Sequence, residues 1–148
     1  QHRLLWSHGG TRLEIIRNSN RHLEISFLLI PGLNDDLQNF REMLEWISDK
    51  LGKDTVMHIN RYFPRYKSSI PPTPVEKLED FFGIATEKLN YVYIGNYSGN
   101  MGQNTYCPSC GELQISRNHY DTKVYLDADG RCGNCGYGIL VTPLQPPP

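Results

Sequence analysis

Four cysteines carry the plainest chemistry in this chain. They fall into two matched pairs, Cys107-Pro108-Ser109-Cys110-Gly111 and Cys132-Gly133-Asn134-Cys135-Gly136, and no cysteine stands outside them. Each pair sets two thiolates on one tight turn, and the glycine after each second cysteine tolerates positive φ. Backbone N–H groups can then turn toward the sulfurs while both sulfurs reach one metal. The 21 residues between Cys110 and Cys132 suffice for a short hairpin that returns the second knuckle to the first. Two C-x-x-C pairs at this spacing read as a tetrahedral four-sulfur site, most often zinc, with every position filled. Iron in a rubredoxin-like site fits the same geometry and stays open. Disulfides would need an oxidising compartment, and the chain shows no basic, apolar, small-residue secretory leader. A thioredoxin-like redox site needs one such pair at a helix start and leaves the second pair unexplained. A closed four-thiolate site has no position for water or substrate, so activity must be sought elsewhere.

Elsewhere means the segment before the cysteines, where apolar runs alternate with helical stripes. Leu13 to Arg17 reads as the last turns of a helix, ended by Asn18-Ser19-Asn20. Leu23 to Ile30 is a mostly apolar run stopped by Pro31-Gly32, and suits a strand covered on both faces. Leu37, Phe40, Leu44, Ile47 and Leu51 form one helical stripe, with Asn34, Asp35 and Asp36 as caps and Gly52 as its end. Thr55 to Ile59 predicts a second strand. Thr73-Pro74-Val75-Glu76 reads as a capping box opening a helix that turns Leu78, Phe82, Ala85 and Leu89 inward, with Gly83 as a weak spot. Tyr91 to Ile94 predicts a third strand. Right-handed crossovers then give a parallel sheet with helices packed on it, and its open edges predict self-association and a larger α/β sheet or barrel. Within the cysteine module, Leu113 to Ser116 and Lys123 to Leu126 pair as strands, and Asp127-Ala128-Asp129-Gly130 turns into the second knuckle.

In parallel α/β folds chemistry gathers at the carboxyl ends of the strands. The segments leaving those ends are Pro31 to Asp36, Asn60 to Lys67 and Gly95 to Gly99. The middle one interleaves three cations with three aromatics, which suits an anionic group and a planar ring, or else a solvated loop over the rim. Asp35 and Asp36 read as helix caps before metal ligands. His58, in mid-strand, reads as a core or rim histidine before a proton-transfer group. His2, His8, His22 and His119 show no ligand spacing. There is no Gly-rich phosphate loop and no nucleophile elbow.

The 148 residues have 15 Lys plus Arg against 16 Asp plus Glu, a balance that argues against a broad nucleic-acid footprint. In the cysteine module Arg117, Lys123 and Arg131 are offset by Glu112, Asp121, Asp127 and Asp129, which favours a protein contact over nucleic acid. No apolar run approaches the ~20 residues of a membrane span. The chain is expected to be soluble and cytoplasmic.

Several of these segments in series resemble a known family. They are Phe27-Leu28-Leu29-Ile30-Pro31-Gly32-Leu33-Asn34-Asp35, His58-Ile59-Asn60-Arg61-Tyr62-Phe63-Pro64-Arg65-Tyr66-Lys67 and Pro71-Pro72-Thr73-Pro74-Val75-Glu76. Tyr91-Val92-Tyr93-Ile94-Gly95-Asn96 and Asn104-Thr105-Tyr106-Cys107-Pro108 narrow the match. From Leu23 to Gly136 the chain resembles the C-terminal half of glycyl-radical activating enzymes of the radical SAM superfamily. It is most similar to the members belonging to the AmmeMemoRadiSam system, labelled pyruvate formate-lyase activating enzyme homologues.

The resemblance implies the last strands of a partial (β/α)6 barrel followed by a zinc ribbon. The domains expected are an irregular start and helix remnant at 1–22, barrel strands and helices at 23–96, a linker at 97–104, the ribbon at 105–140 and a Pro-rich tail at 141–148. In the family a C-x-x-x-C-x-x-C motif binds a [4Fe-4S] cluster whose open iron holds S-adenosylmethionine. Reductive cleavage then yields a 5′-deoxyadenosyl radical that abstracts hydrogen from a protein or small molecule. That motif is absent here, so this chain by itself is expected to be inactive. Ile25 to Ile30 would line the adenine and ribose side. Arg61 falls where related enzymes present a polar cofactor contact, Asn60 and Tyr62 flank it, and Asn34 and Asp35 lie at the barrel mouth. A histidine common after the last strand is replaced by Asn100. The implied partners are the N-terminal barrel half and a protein of the same system. The competing reading is a non-catalytic zinc-ribbon module that binds protein or, less in keeping with its charge, nucleic acid.

Overall fold

In the computed structural model, residues 12–19, 21–118 and 121–139 are described. The chain divides into two compact units between Ser98 and Gly99. The expected Pro-rich tail and the first eleven residues lie outside the described residues.

The first unit opens with helix α1 (residues 12–18), which stops where the Ser19 hydroxyl and N–H turn back to the Ile16 carbonyl, at 2.7 and 3.1 Å. Three parallel strands follow, β1 (Glu24–Leu29), β2 (Val56–Arg61) and β3 (Val92–Gly95), in the order β1-β2-β3. Helices α2 (Leu37–Lys50) and α3 (Val75–Thr86) make the two crossovers. Asp36 caps α2 by accepting from the Asn39 N–H at 2.8 Å, as its position before the stripe predicts. The chain leaves α2 at Gly52, whose N–H returns to the Ile47 carbonyl at 3.1 Å.

Both helices cover the same side of the sheet. Phe27 of β1, Phe40 of α2 and Phe81 of α3 form one aromatic cluster, with ring centroids 5.1, 6.4 and 4.5 Å apart. Leu29, Leu44, Ile47, Met57, Ile59, Leu78 and Ala85 are fully buried around it. At roughly 1.5–3 kcal/mol per large apolar side chain removed from water, this layer is what holds the sheet to the helices.

Three expectations are corrected. Phe81, not Phe82, is the inward aromatic of α3, because the buried set Leu78, Phe81, Ile84 and Ala85 centres the stripe one residue earlier. The sequence Thr73-Pro74-Val75-Glu76 does not act as a capping box, since no side chain caps α3. The Thr73 hydroxyl instead donates to the Leu29 carbonyl at 2.5 Å and accepts from the Tyr62 N–H at 2.9 Å, tying the ends of β1 and β2 together. Nor is β1 covered on both faces: Glu24, Ser26 and Leu28 are exposed.

The second unit carries an antiparallel sheet of β4 (Thr105–Tyr106), β5 (Leu113–Asn118) and β6 (Asp121–Val124) in that order. The pairing places Ile115 opposite Val124 and Asn118 opposite Asp121. The turn after β6 is held by the Asp127 carboxylate, which accepts from the N–H groups of Asp129 and Arg131 at 3.0 and 2.8 Å. Among the described residues no helix is long and apolar enough to cross a membrane.

Candidate functional site

The four cysteines meet. Their sulfurs all lie within 4.8 Å of one another, and between the knuckles Cys107 and Cys135, and Cys110 and Cys132, each stand 3.6 Å apart. A metal held by four sulfurs at about 2.3 Å sets the sulfurs roughly 3.8 Å apart at the edges of the tetrahedron. The cluster is therefore the right size for one ion, and the thiols are free of disulfides.

The two knuckles are built alike. The Gly111 and Gly136 N–H groups return to the Cys107 and Cys132 carbonyls at 2.9 and 2.8 Å, and both glycines sit at positive φ, +75° and +72°. The Cys107 and Cys132 N–H groups reach across each turn to the Glu112 and Tyr137 carbonyls, both at 2.8 Å. The first cysteine of each pair is buried and the second is exposed. Burial pushes the Cys107 thiol up to about 11, against N–H groups of Cys110 and Ser109 that point at its sulfur. The Glu112 N–H and the Asn134 side chain bring Cys110 down to about 6. An incoming cation thus meets a thiolate at the exposed position first.

The residues expected at the strand ends do not share one surface. Adjacent residues of a strand point to opposite faces, so Asn60 and Arg61 part company. Arg61 donates from Nε to the Thr73 carbonyl at 2.8 Å, and its guanidinium lies 4.8 Å from the Phe63 ring centroid. The Tyr62 hydroxyl is 2.6 Å from that of Ser68. Asn34 closes the end of β1, donating to the Leu28 carbonyl and accepting from the Ile30 N–H, both at 2.8 Å. Asp35 accepts from the Gly32 N–H at 2.9 Å and pairs with Lys77. Lys77 holds its carboxyl below the usual carboxylate range.

Asn60 faces the side of the sheet opposite the helices. The register groups Leu28, Asn60 and Gly95 in one layer and Ser26, His58 and Tyr93 in the layer beneath. Asn60 donates to the Ser26 hydroxyl at 2.8 Å. Gly95 leaves room for it: a Cβ there would stand 1.9 Å from Asn60 Oδ1. Below, Glu24 accepts from two histidines, with His22 Nε2 2.8 Å from Oε1 and His58 Nε2 2.7 Å from Oε2. His22 first, and His58 with it, holds the Glu24 carboxyl below its ordinary value. The His58 ring packs on Tyr93, centroids 5.5 Å apart. Sequence reasoning assigned His22 nothing and missed Glu24. The readable signal was the His22-x-Glu24 spacing, which sets both on one side of an extended chain.

Over 121 residues, 79% of its length, the chain is 42% identical to the uncharacterized protein MJ0808 of Methanocaldococcus jannaschii. It spans 36% of that relative's length. No family model matches the chain, and no solved structure does.

Proposed function

We propose that this chain is the C-terminal part of a radical SAM enzyme of the glycyl-radical activating type, a partial barrel wall followed by a structural zinc ribbon. The observation that carries the reading is the placement of both crossover helices on one face of a parallel sheet in sequential order. A doubly wound sheet puts helices on both faces, whereas a barrel wall keeps one face for the helices and turns the other inward. The other face here carries Ser26, His58 and Tyr93 in one layer and Leu28, Asn60 and Gly95 in the next, a mixed surface with polar groups that could serve a site wall. The greater length of the archaeal relative is compatible with further strands beyond those of this chain.

In this reading the cluster belongs to cysteines outside the chain, and the iron–sulfur group supplies the electron that cleaves S-adenosylmethionine. The chain contributes Asn60, held by Ser26 over Gly95, as a polar contact at the carboxyl end of the central strand. Zinc fills the Cys107, Cys110, Cys132 and Cys135 site, since a closed set of four thiolates with matched knuckles is the usual structural zinc arrangement.

The test uses the full-length protein, purified without oxygen and reconstituted with iron and sulfide. With S-adenosylmethionine and dithionite it should release 5′-deoxyadenosine, and a variant lacking the upstream cluster cysteines should not. An upstream sequence without a C-x-x-x-C-x-x-C motif, or no 5′-deoxyadenosine above that variant, overturns the reading. Metal analysis should find one zinc per chain besides the cluster iron.

A further inference from the structure

We propose that a cleft on the cysteine module binds the guanidinium group of an arginine in a partner polypeptide. The site stands apart from any radical SAM chemistry and needs the metal only for its charge.

The cleft encloses about 510 Å³, and Glu112, Leu113, Gln114, Tyr125, Gly133 and Asn134 line it. That volume falls in the usual range of ligand pockets, roughly 300–1,000 Å³. The cleft lies wholly within the second unit, walled by β5, the residue after β6 and the second knuckle.

Three observations define its ligand. Gln114 is 1% exposed, yet its Oε1 has no hydrogen-bond partner among the described residues. Its Nε2 donates to the Glu112 carbonyl at 3.1 Å, which also accepts from the Cys107 N–H at 2.8 Å. A buried acceptor without a donor is destabilising, and a ligand that brings an N–H removes the penalty. The last torsion of a glutamine is soft, so the amide can turn its oxygen to a donor entering the cleft.

The second observation is charge. No lysine or arginine lines the cleft, whereas Glu112 supplies a carboxylate. Asn134 turns its side-chain N–H to Cys110 and keeps its oxygen for an incoming donor. The neighbouring knuckles add to this: a divalent ion ringed by four thiolates is a dianion, and a ferric ion in its place would still leave an anion. The ligand is therefore a cation.

Third, Tyr125 is half exposed and stands beside Gln114, its N–H donating to the Gln114 carbonyl at 2.8 Å. An aromatic ring next to acceptors favours a guanidinium over an ammonium. The planar group stacks on the ring and forks two N–H groups to a carboxylate, while the ammonium is compact and strongly hydrated. Free arginine would bring its own carboxylate against this negative surface, and an arginine within a polypeptide brings none.

The test titrates the full chain, metal bound, with acetyl-Gly-Arg-Gly-amide, following the Gln114 side-chain amide and the Tyr125 ring by NMR. Both should shift and saturate. The citrulline peptide, which keeps the shape without the charge, should bind about tenfold more weakly, as should the lysine peptide and free arginine. Glu112→Gln, a change to an exposed side chain, should weaken the arginine peptide about threefold, the scale of an exposed ion pair. Gln114→Leu should weaken it about tenfold yet unfold at no lower denaturant concentration than the parent, since leucine strands no acceptor. A glutamine that served only the fold would give the reverse, a lower midpoint and unchanged binding. That result overturns the proposal, as does the absence of saturable shifts or any of the three competitors binding as well as the arginine peptide. None of these measurements involves an iron–sulfur cluster or S-adenosylmethionine, so failure here and failure of the radical SAM reading are told apart.

Discussion

Glu24 shows how one exposed residue can organise its surroundings. It sits at the start of β1 and accepts from a histidine two residues before it and from another 34 residues away. Its carboxyl is lowered, chiefly by His22. A lowered carboxyl contributes stability that is present above its ordinary pKa and lost as pH falls through the folded value. This network therefore keeps its contribution down to the ordinary glutamate value of 4.5 and lets go only in more acid solution. His22→Gln should raise the Glu24 pKa toward the ordinary glutamate value, followed by carbon NMR of the side-chain carboxyl. No change would mean that His22 is a bystander. The cysteine cluster was legible because spacing along the chain encodes it, two residues inside each pair and a glycine after. The Glu24–His58 pair was not, because it depends on the register between β1 and β2, which one sequence does not state.

Elements were readable to within a few residues wherever a periodic stripe met a turn signal, as at α2 between Asp36 and Gly52. The errors had a common cause: local patterns were read where tertiary partners had stronger demands. Thr73 has the sequence of a helix cap, yet its hydroxyl serves Leu29 at the end of β1 and Tyr62 just beyond β2. It is fully buried, so removing the hydroxyl leaves two backbone groups without partners. Thr73→Val, which keeps the shape, should lower unfolding stability by about 2–3 kcal/mol, within the usual cost of stranding buried polar groups. Thr73→Ser should recover most of it. Chemical denaturation of the three proteins checks this, and equal midpoints for valine and threonine would show that the tie is idle. β1 misled differently. Its apolar run suggested two covered faces, but Glu24 and Ser26 alternate with Ile25 and Phe27, and that alternation is the signature of a strand with one open side.

At the scale of the whole molecule the two units draw on different sources of stability. The first has a helix-covered core centred on Phe27, Phe40 and Phe81. The second has short strands, with β6 exposed along its length, and its two knuckles converge on the cysteine sulfurs. Units of this size with so small a core depend on their metal. A strong chelator should therefore abolish amide-exchange protection in β4, β5 and β6 while α2, α3 and β1 to β3 keep theirs. Loss of protection throughout would mean that the metal holds more than its own module. Retention throughout would mean that the cysteines are not holding a metal needed for folding.

The alternation of buried and exposed cysteines has a consequence for exchange kinetics. Cys110 and Cys135 are the exposed members of the two knuckles, and each stands against a buried partner from the other knuckle. Removal of the ion by a competing ligand would begin at these two sulfurs, with the competitor bound before the buried pair lets go. Departure would then be a two-body event whose rate climbs with competitor concentration, instead of a spontaneous escape at a fixed rate. A metal held this way would leave slowly in dilute surroundings and quickly to a partner that presents donors of its own.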